Sequence, residues 1–221
     1  NVAGEKTSLG RGNLSFTTMN MPRLAIEARI KAESMEESGK KEAIERTAKE
    51  LFIQSVHQTA ELIAEQLYSR YQYQRTALAR QFPFMMGNDV WKGGEKLAPN
   101  DQVGDVLRQG TLGIGFIGGH NAMMALYGES HGHSRKAWDT LYEAVLEMNK
   151  VADDYKAKYQ LNFSVLATPA EGLSGRFTRM DRRKYGTIPG VTDNDYYVNS
   201  FHVDVKESIT IVDKIKREAP F

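Results

Sequence analysis

Asn162-Phe-Ser-Val-Leu-Ala-Thr-Pro-Ala-Glu-Gly-Leu-Ser-Gly-Arg176 is the stretch on which the reading of this chain turns. Phe163 to Ala167 is a short apolar run of strand length. Thr168-Pro169 breaks it, because proline removes a ladder donor and restricts the residue before it. Gly172 and Gly175 then lead into a basic, helix-compatible segment that runs to about Tyr185. A strand that ends in a small-residue turn and opens a helix gathers unpaired backbone N–H groups at one point. With the helix dipole, these favour an anion. The first ligand to consider is therefore a phosphorylated small molecule. Thr168 offers a hydroxyl to such a phosphate or to the turn itself, and Arg176 lies closest to the turn among the arginines. Glu171 has no paired acid or histidine nearby in sequence and reads equally as a dipole partner at the helix start.

Outward from this point the chain alternates strands with helices. Asn13 to Met21 alternates apolar and polar residues and reads as a strand. Pro22 opens a helix that runs to about Met35 and ends near Ser38-Gly39. A long helix follows from about Lys40 to Gln81, with Phe52, Val56, Ala60, Ile63, Leu67 and Tyr71 forming one apolar stripe. His57 lies beside that stripe and reads as structural. Gln81 to Gln102 is a connection rich in Gly, Pro, Asn and Asp that carries Phe82, Phe84, Met85, Met86 and Trp91, so it packs down as a surface loop or a lid. Val103 to Gln109 forms a helical turn, and Thr111 to Gly118 a glycine-studded strand. Its glycines resemble a dinucleotide fingerprint only superficially: the third is misplaced, and no acidic partner follows at the usual distance. Close approach of another backbone or a ligand is the better reading. Asn121 to Tyr127 is helical. Trp138, Leu141, Val145, Met148, Ala152, Tyr155 and Tyr159 mark another amphipathic helix. Ser200 to Val205 reads as a last strand. Strands separated by helices imply parallel pairing through right-handed crossovers, hence a helix-rich α/β fold.

Composition narrows the function classes. The 221 residues are 41% hydrophobic and carry 29 basic and 28 acidic side chains, a net charge of +1. No global field draws the chain to nucleic acid or to an anionic membrane. No apolar run approaches transmembrane length, and no signal peptide is visible. The absence of cysteine excludes disulfides, thiolate metal sites and a cysteine nucleophile within these residues, and fits a cytoplasmic protein. His131-Gly132-His133 with His120 is a candidate metal cluster, but no carboxylate stands at a recognisable ligand spacing, and the pair in its polar loop reads as solvated. Arg176, Arg179, Arg182, Arg183 and Lys184 form a basic run without the interleaved aromatics of a nucleic-acid patch, and read as a solvated face complementing a helix C-terminus. Both ends read as cut, as in an internal piece of a longer protein.

Six segments in order resemble the class III anaerobic ribonucleoside-triphosphate reductases, which are glycyl-radical enzymes. They are Gly10 to Ile26, Gln81 to Gly87 with Trp91, Leu107 to Gly118, Asn162 to Phe177, Ile188 to Asp193 and Asn199 to Val203. The resemblance runs almost end to end. It implies that residues 1–221 are a single partial domain, part of a ten-stranded α/β barrel of the glycyl-radical type. It implies an activity that converts ribonucleoside triphosphates to deoxyribonucleotides by glycyl and thiyl radical chemistry, with formate or a thiol as reductant. It further implies a radical-SAM activating enzyme as partner, a homodimer, and a structural four-cysteine zinc site. The family's finger-loop cysteine, zinc cysteines and radical glycine have no counterpart in residues 1–221, so the resemblance assigns no catalytic residue here and an isolated piece is expected to be inactive. By resemblance, Thr168, Pro169, Ala170, Glu171, Gly172, Leu173 and Ser174 hold the substrate phosphates. Asn13, Thr17 and Asn20 face ribose or the radical cysteine, and Asn199, Ser200 and His202 lie on a late barrel strand. Two other readings stand beside this one: a non-catalytic nucleotide-binding or assembly module on the same barrel half, and another glycyl-radical enzyme related to formate lyases. A half-barrel exposes strand edges and apolar interior, so self-association or poor stability is expected.

Overall fold

The computed structural model describes residues 2–7, 9–37 and 39–221. Three strands, β1 (Asn13–Asn20), β2 (Thr111–Ile117) and β3 (Asn162–Ala167), form one parallel sheet in the order β1-β2-β3. The helices are α1 (Met21–Met35), α2 (Lys41–Gln74), α3 (Pro83–Gly87), α4 (Gly104–Leu107), α5 (Gly119–Tyr127), α6 (Arg135–Tyr159), α7 (Glu171–Tyr185) and α8 (Ile211–Glu218). The chain divides into two compact units: residues 1–17, 60–114 and 149–166 make the first, and 18–59, 115–148 and 167–221 the second.

The expected α2 stripe is buried from Phe52 to Tyr71, which supplies most of what holds a long polar helix in place. The helix stops at Gln74, seven residues before the predicted end at Gln81. In the first unit the backbone beyond it pairs elsewhere. Ala79 N–H donates to Asp101 O (2.9 Å) and Val103 N–H to Ala77 O (2.9 Å), around an antiparallel bridge between Leu78 and Gln102. Long-range partners for these groups outcompete helical ones. The following connection packs down through Met86 and Trp91, which are buried, while Phe82 and Phe84 are exposed. A Cβ on Gly110 would lie 2.6 Å from the Trp91 ring, so the indole seats against bare backbone. Gly113 of β2 likewise leaves room for Phe16 and Leu166: its Cβ would meet them at 3.0 and 3.5 Å. At Gly113 the close neighbours are side chains and not another backbone.

In the second unit, α1 begins where Asn20 Oδ1 accepts from Arg23 N–H (3.3 Å), with Pro22 in its first turn. It ends at Met35 with Glu36 as its cap. The expected end at Ser38-Gly39 falls partly outside the described residues, at Ser38. Arg29 extends from α1 to the Leu126 carbonyl of α5 (2.9 Å). Gly118, at φ +80°, turns β2 into α5, a conformation in which glycine carries no Cβ penalty.

The expected strand at Ser200–Val205 does not form. Ser200 takes φ +41°, which no extended ladder accommodates. Its carbonyl accepts from Gly119 N–H (2.9 Å), and His202 N–H donates to Asn199 O (3.1 Å), so the segment turns. Helix α8 was not anticipated. Its cap is Thr210, whose Oγ1 accepts from Asp213 N–H (3.1 Å).

Candidate functional site

Helix α7 starts without a side-chain cap, because its N-cap residue is Ala170. Glu171 and Gly172 are exposed and Ser174 is buried. Ser174 Oγ donates to Glu171 O (3.0 Å) and its N–H reaches Ala170 O (3.2 Å). Glu171 N–H donates to Pro169 O (3.2 Å), so in the first turn the amides of Gly172 and Leu173 keep donor capacity at a positive dipole end. Beside this end lies a cavity of about 490 Å³, lined by Ala170, Glu171, Ser174 and Gly175 and by residues 196–199 and 202–205 with Lys214. That is a ligand-sized space. Among the residues singled out from the sequence, Ala170, Glu171, Ser174, Asn199 and His202 all line it.

Thr168 is buried and shares a hydrogen bond with Thr18 (Oγ1 to Oγ1, 3.1 Å), which ties the end of β3 to the end of β1. Asn20, two residues on, donates from Nδ2 to Asp181 Oδ2 (2.8 Å). Ser200 is buried at the turn described above. His202 Nδ1 lies 3.3 Å from Glu218 Oε2, which Lys214 also approaches (3.1 Å to Oε1). Burial pushes the Glu218 carboxyl up, but bonds from Val203 N–H, Lys214 and His202 outweigh it and hold the group below the usual range. Asn13 and Thr17 belong to the first unit, where Thr17 Oγ1 accepts from Arg70 Nη2 (2.8 Å).

The residue that sequence reasoning missed is Asp181. It sits inside the basic run of α7, yet it is fully buried. Arg23 Nε (2.7 Å) and Nη2 (2.6 Å), Asn20 Nδ2 and Tyr197 Oη (2.9 Å) all donate to its carboxylate. Four donors satisfy a charge that would otherwise be costly to bury. Burial and then Asp181 push the Tyr197 hydroxyl well above the usual phenol range. Desolvation lowers the Arg23 guanidinium, but its bond and charge pairing with Asp181 leave it raised. Arg182, read as part of a solvated face, instead donates to the carbonyls of Thr192 and Asn194 (2.5 Å each). Arg176 is exposed and does not line the cavity.

The histidines also differ from expectation. His131 is buried, with Nε2 donating to Phe201 O (2.8 Å), and His120 is buried beside it with ring centroids 6.0 Å apart. Glu207, remote in sequence, comes within 2.9 Å of His133 Nε2 and 3.9 Å of His120 Nε2. No group of three or more metal-ligating side chains forms among the described residues. A four-cysteine zinc site and a thiyl radical need thiols, and the sequence has none, so its side chains do not fit those groups.

A family model described as anaerobic ribonucleoside-triphosphate reductase matches residues 1–221. The chain belongs to this family. Anaerobic ribonucleoside-triphosphate reductases from Salmonella typhimurium and Escherichia coli are each 31% identical to it over 224 residues. Each of these matches covers 100% of this chain and 29% of the relative. The counterpart from enterobacteria phage T4 is 30% identical over 96% of this chain and 31% of its own length. This member of the anaerobic reductase family therefore spans less than a third of the length of these relatives. The anaerobic ribonucleotide reductase of Thermotoga maritima, solved in complex with dATP and CTP, shares the fold. Its TM-score is 0.66 at 15% identity, covering 98% of this chain and 31% of that one. A second anaerobic ribonucleotide reductase structure matches with a TM-score of 0.67 at 14% identity, over 97% of this chain and 29% of that one. The helix-rich α/β architecture with a parallel sheet is thus that of part of an anaerobic ribonucleotide reductase.

Proposed function

We propose that this chain is part of the catalytic subunit of an anaerobic ribonucleoside-triphosphate reductase, and that residues 1–221 serve there as a single partial domain that holds substrate. The turn Thr168, Pro169, Ala170, Glu171, Gly172, Leu173 and Ser174 takes the triphosphate. The observation that carries this reading is the uncapped start of α7 opening on a cavity with Asn199, His202 and Lys214 opposite. Backbone amides of the first turn donate to phosphate oxygens, and the helix dipole favours their charge. Thr168 holds the turn to β1 through Thr18. Asn13, Thr17, Asn20 and Ser200 are assigned to substrate binding by the family resemblance alone.

In the whole enzyme, ribonucleoside triphosphates become deoxyribonucleoside triphosphates through a glycyl radical and a thiyl radical, with formate or a thiol as reductant. The residues of this chain bind and orient substrate; they supply neither radical nor zinc ligands. A radical-SAM activating enzyme, a homodimeric assembly and a cytoplasmic setting belong to the same proposal. The sequence relationship and the family match support it, and no helix among the described residues is long and apolar enough to cross a membrane.

Calorimetric titration of the chain with ribonucleoside triphosphates tests the phosphate turn. Losing two polar groups at the turn, in the Thr168→Ala/Ser174→Ala variant, should weaken binding about tenfold. Unchanged affinity would sink the assignment. Affinity for pyruvate with none for nucleotides would move the chain toward the formate-lyase relatives.

A further inference from the structure

Asp181 lies within α7, seven residues beyond Ser174 of the proposed phosphate turn, and nothing in that turn explains why a carboxylate is buried there. Its four bonds join three pieces of the second unit. Asn20 closes β1 and starts α1, Arg23 is in the first turn of α1, and Tyr197 belongs to the segment that forms the far wall of the cavity. Tyr197 is wholly enclosed and backs that wall, while its neighbour Tyr196 is 45% exposed. Val198 is fixed at its backbone: its N–H donates to Asn121 Oδ1 (2.8 Å) and its carbonyl accepts from Gly118 N–H (2.8 Å). The Tyr197 ring packs in one core cluster with Ile26 and Val191, and its hydroxyl bond to Asp181 (2.9 Å) fixes the remaining polar end of the ring behind residues 196–199. A phosphate held by the first turn of α7 leaves the remaining cavity, about 490 Å³ in all, for the rest of the ligand, against that wall.

We propose that Asp181 is a positioning residue for the nucleoside portion of the ligand. Through Tyr197 it sets the wall of residues 196–199 at a fixed distance from the α7 turn, with Asn20 and Arg23 holding the carboxylate from the other side. This inference rests on the proposed phosphate site. It predicts two contributions that separate: phosphate binding by the turn, which does not need Asp181, and nucleoside binding by the wall, which does.

The test compares a ribonucleoside triphosphate with inorganic tripolyphosphate on the same chain. The wild-type protein should bind the nucleotide more tightly. Asp181→Asn, which keeps size, and Tyr197→Phe, which keeps both the ring and the Asp181 charge, should each lose about tenfold in nucleotide affinity, the scale of one charge-assisted hydrogen bond, with tripolyphosphate affinity unchanged. If Asp181→Asn does not fold, as judged by circular dichroism, Tyr197→Phe decides alone. Equal loss for both ligands would mean a merely structural role and overturn the inference, as would no loss for either. Equal wild-type affinity for the two ligands would overturn it while leaving the phosphate site standing. Binding of neither ligand would remove the phosphate site and this inference with it.

Discussion

His131 Nε2 stands 2.8 Å from the carbonyl oxygen of Phe201, and that contact decides the state of the ring. A carbonyl only accepts, so Nε2 carries the proton and Nδ1 presents a lone pair. Nδ1 is buried with no hydrogen-bond partner among the described residues. Protonating it would create a buried, unpaired N–H beside His120. Burial accordingly lowers the pKa from 6.5 to about 4, with His120 and Lys214 adding to the effect and the Phe201 bond and Glu218 opposing it. Between these two values the unfolded state binds the extra proton, so stability rises with pH across that window and is lost as pH falls through it. His131 alone should remove up to about 3 kcal/mol between pH 7 and pH 4. Chemical denaturation at a series of pH values measures this slope. His131→Gln, which does not titrate, should flatten it; an unchanged slope would place the acid sensitivity elsewhere.

Gly118→Ala tests the β2–α5 junction. The position has φ +80°, and an added Cβ would lie 2.3 Å from Pro22 Cγ. Strain and clash act together, so the variant should lose more than about 2 kcal/mol. A thermal midpoint within 2 °C of wild type, against the several degrees expected per kcal/mol, would show that the junction relaxes freely.

Phe163→Ala tests the strand that leads to the turn. Phe163 is buried, with the Tyr155 and Tyr159 rings 5.6 and 6.4 Å away. Emptying this site should cost about 3–5 kcal/mol in urea denaturation. A loss below about 1 kcal/mol would mean that the tyrosines collapse into the space.

Ile211, Val212 and Ile215 of α8 are 75%, 56% and 60% exposed, and their spacing puts apolar side chains on one side of the helix. Sedimentation should show the wild-type chain self-associating as concentration rises. Ile211→Lys/Ile215→Lys should reduce that association while changing stability by less than about 1 kcal/mol, as exposed substitutions do. Equal association of the two proteins would assign it to another surface, such as a sheet edge.

Local patterning determined much of this protein. Alternation over Asn13–Met21 marked β1, the stripe from Phe52 to Tyr71 marked the buried face of α2, and Thr168-Pro169 after an apolar run marked the end of β3 and the approach to α7. Each is a short-range property of the backbone and of side-chain periodicity, and so is readable without partners. Tertiary structure alone decided what depends on remote neighbours. Asp181 reads as one charge among several on α7, and its burial is made tolerable by Tyr197 together with Asn20 and Arg23, the last two about 160 residues away in sequence. His131 reads as a solvated loop residue until Phe201 arrives 70 residues later to take its N–H. Ser200 sits in a strand-like run, yet its carbonyl meets Gly119 N–H in a left-handed turn. Burial free energies and hydrogen-bond partners are set by which surfaces meet, and periodicity along the chain does not encode that meeting.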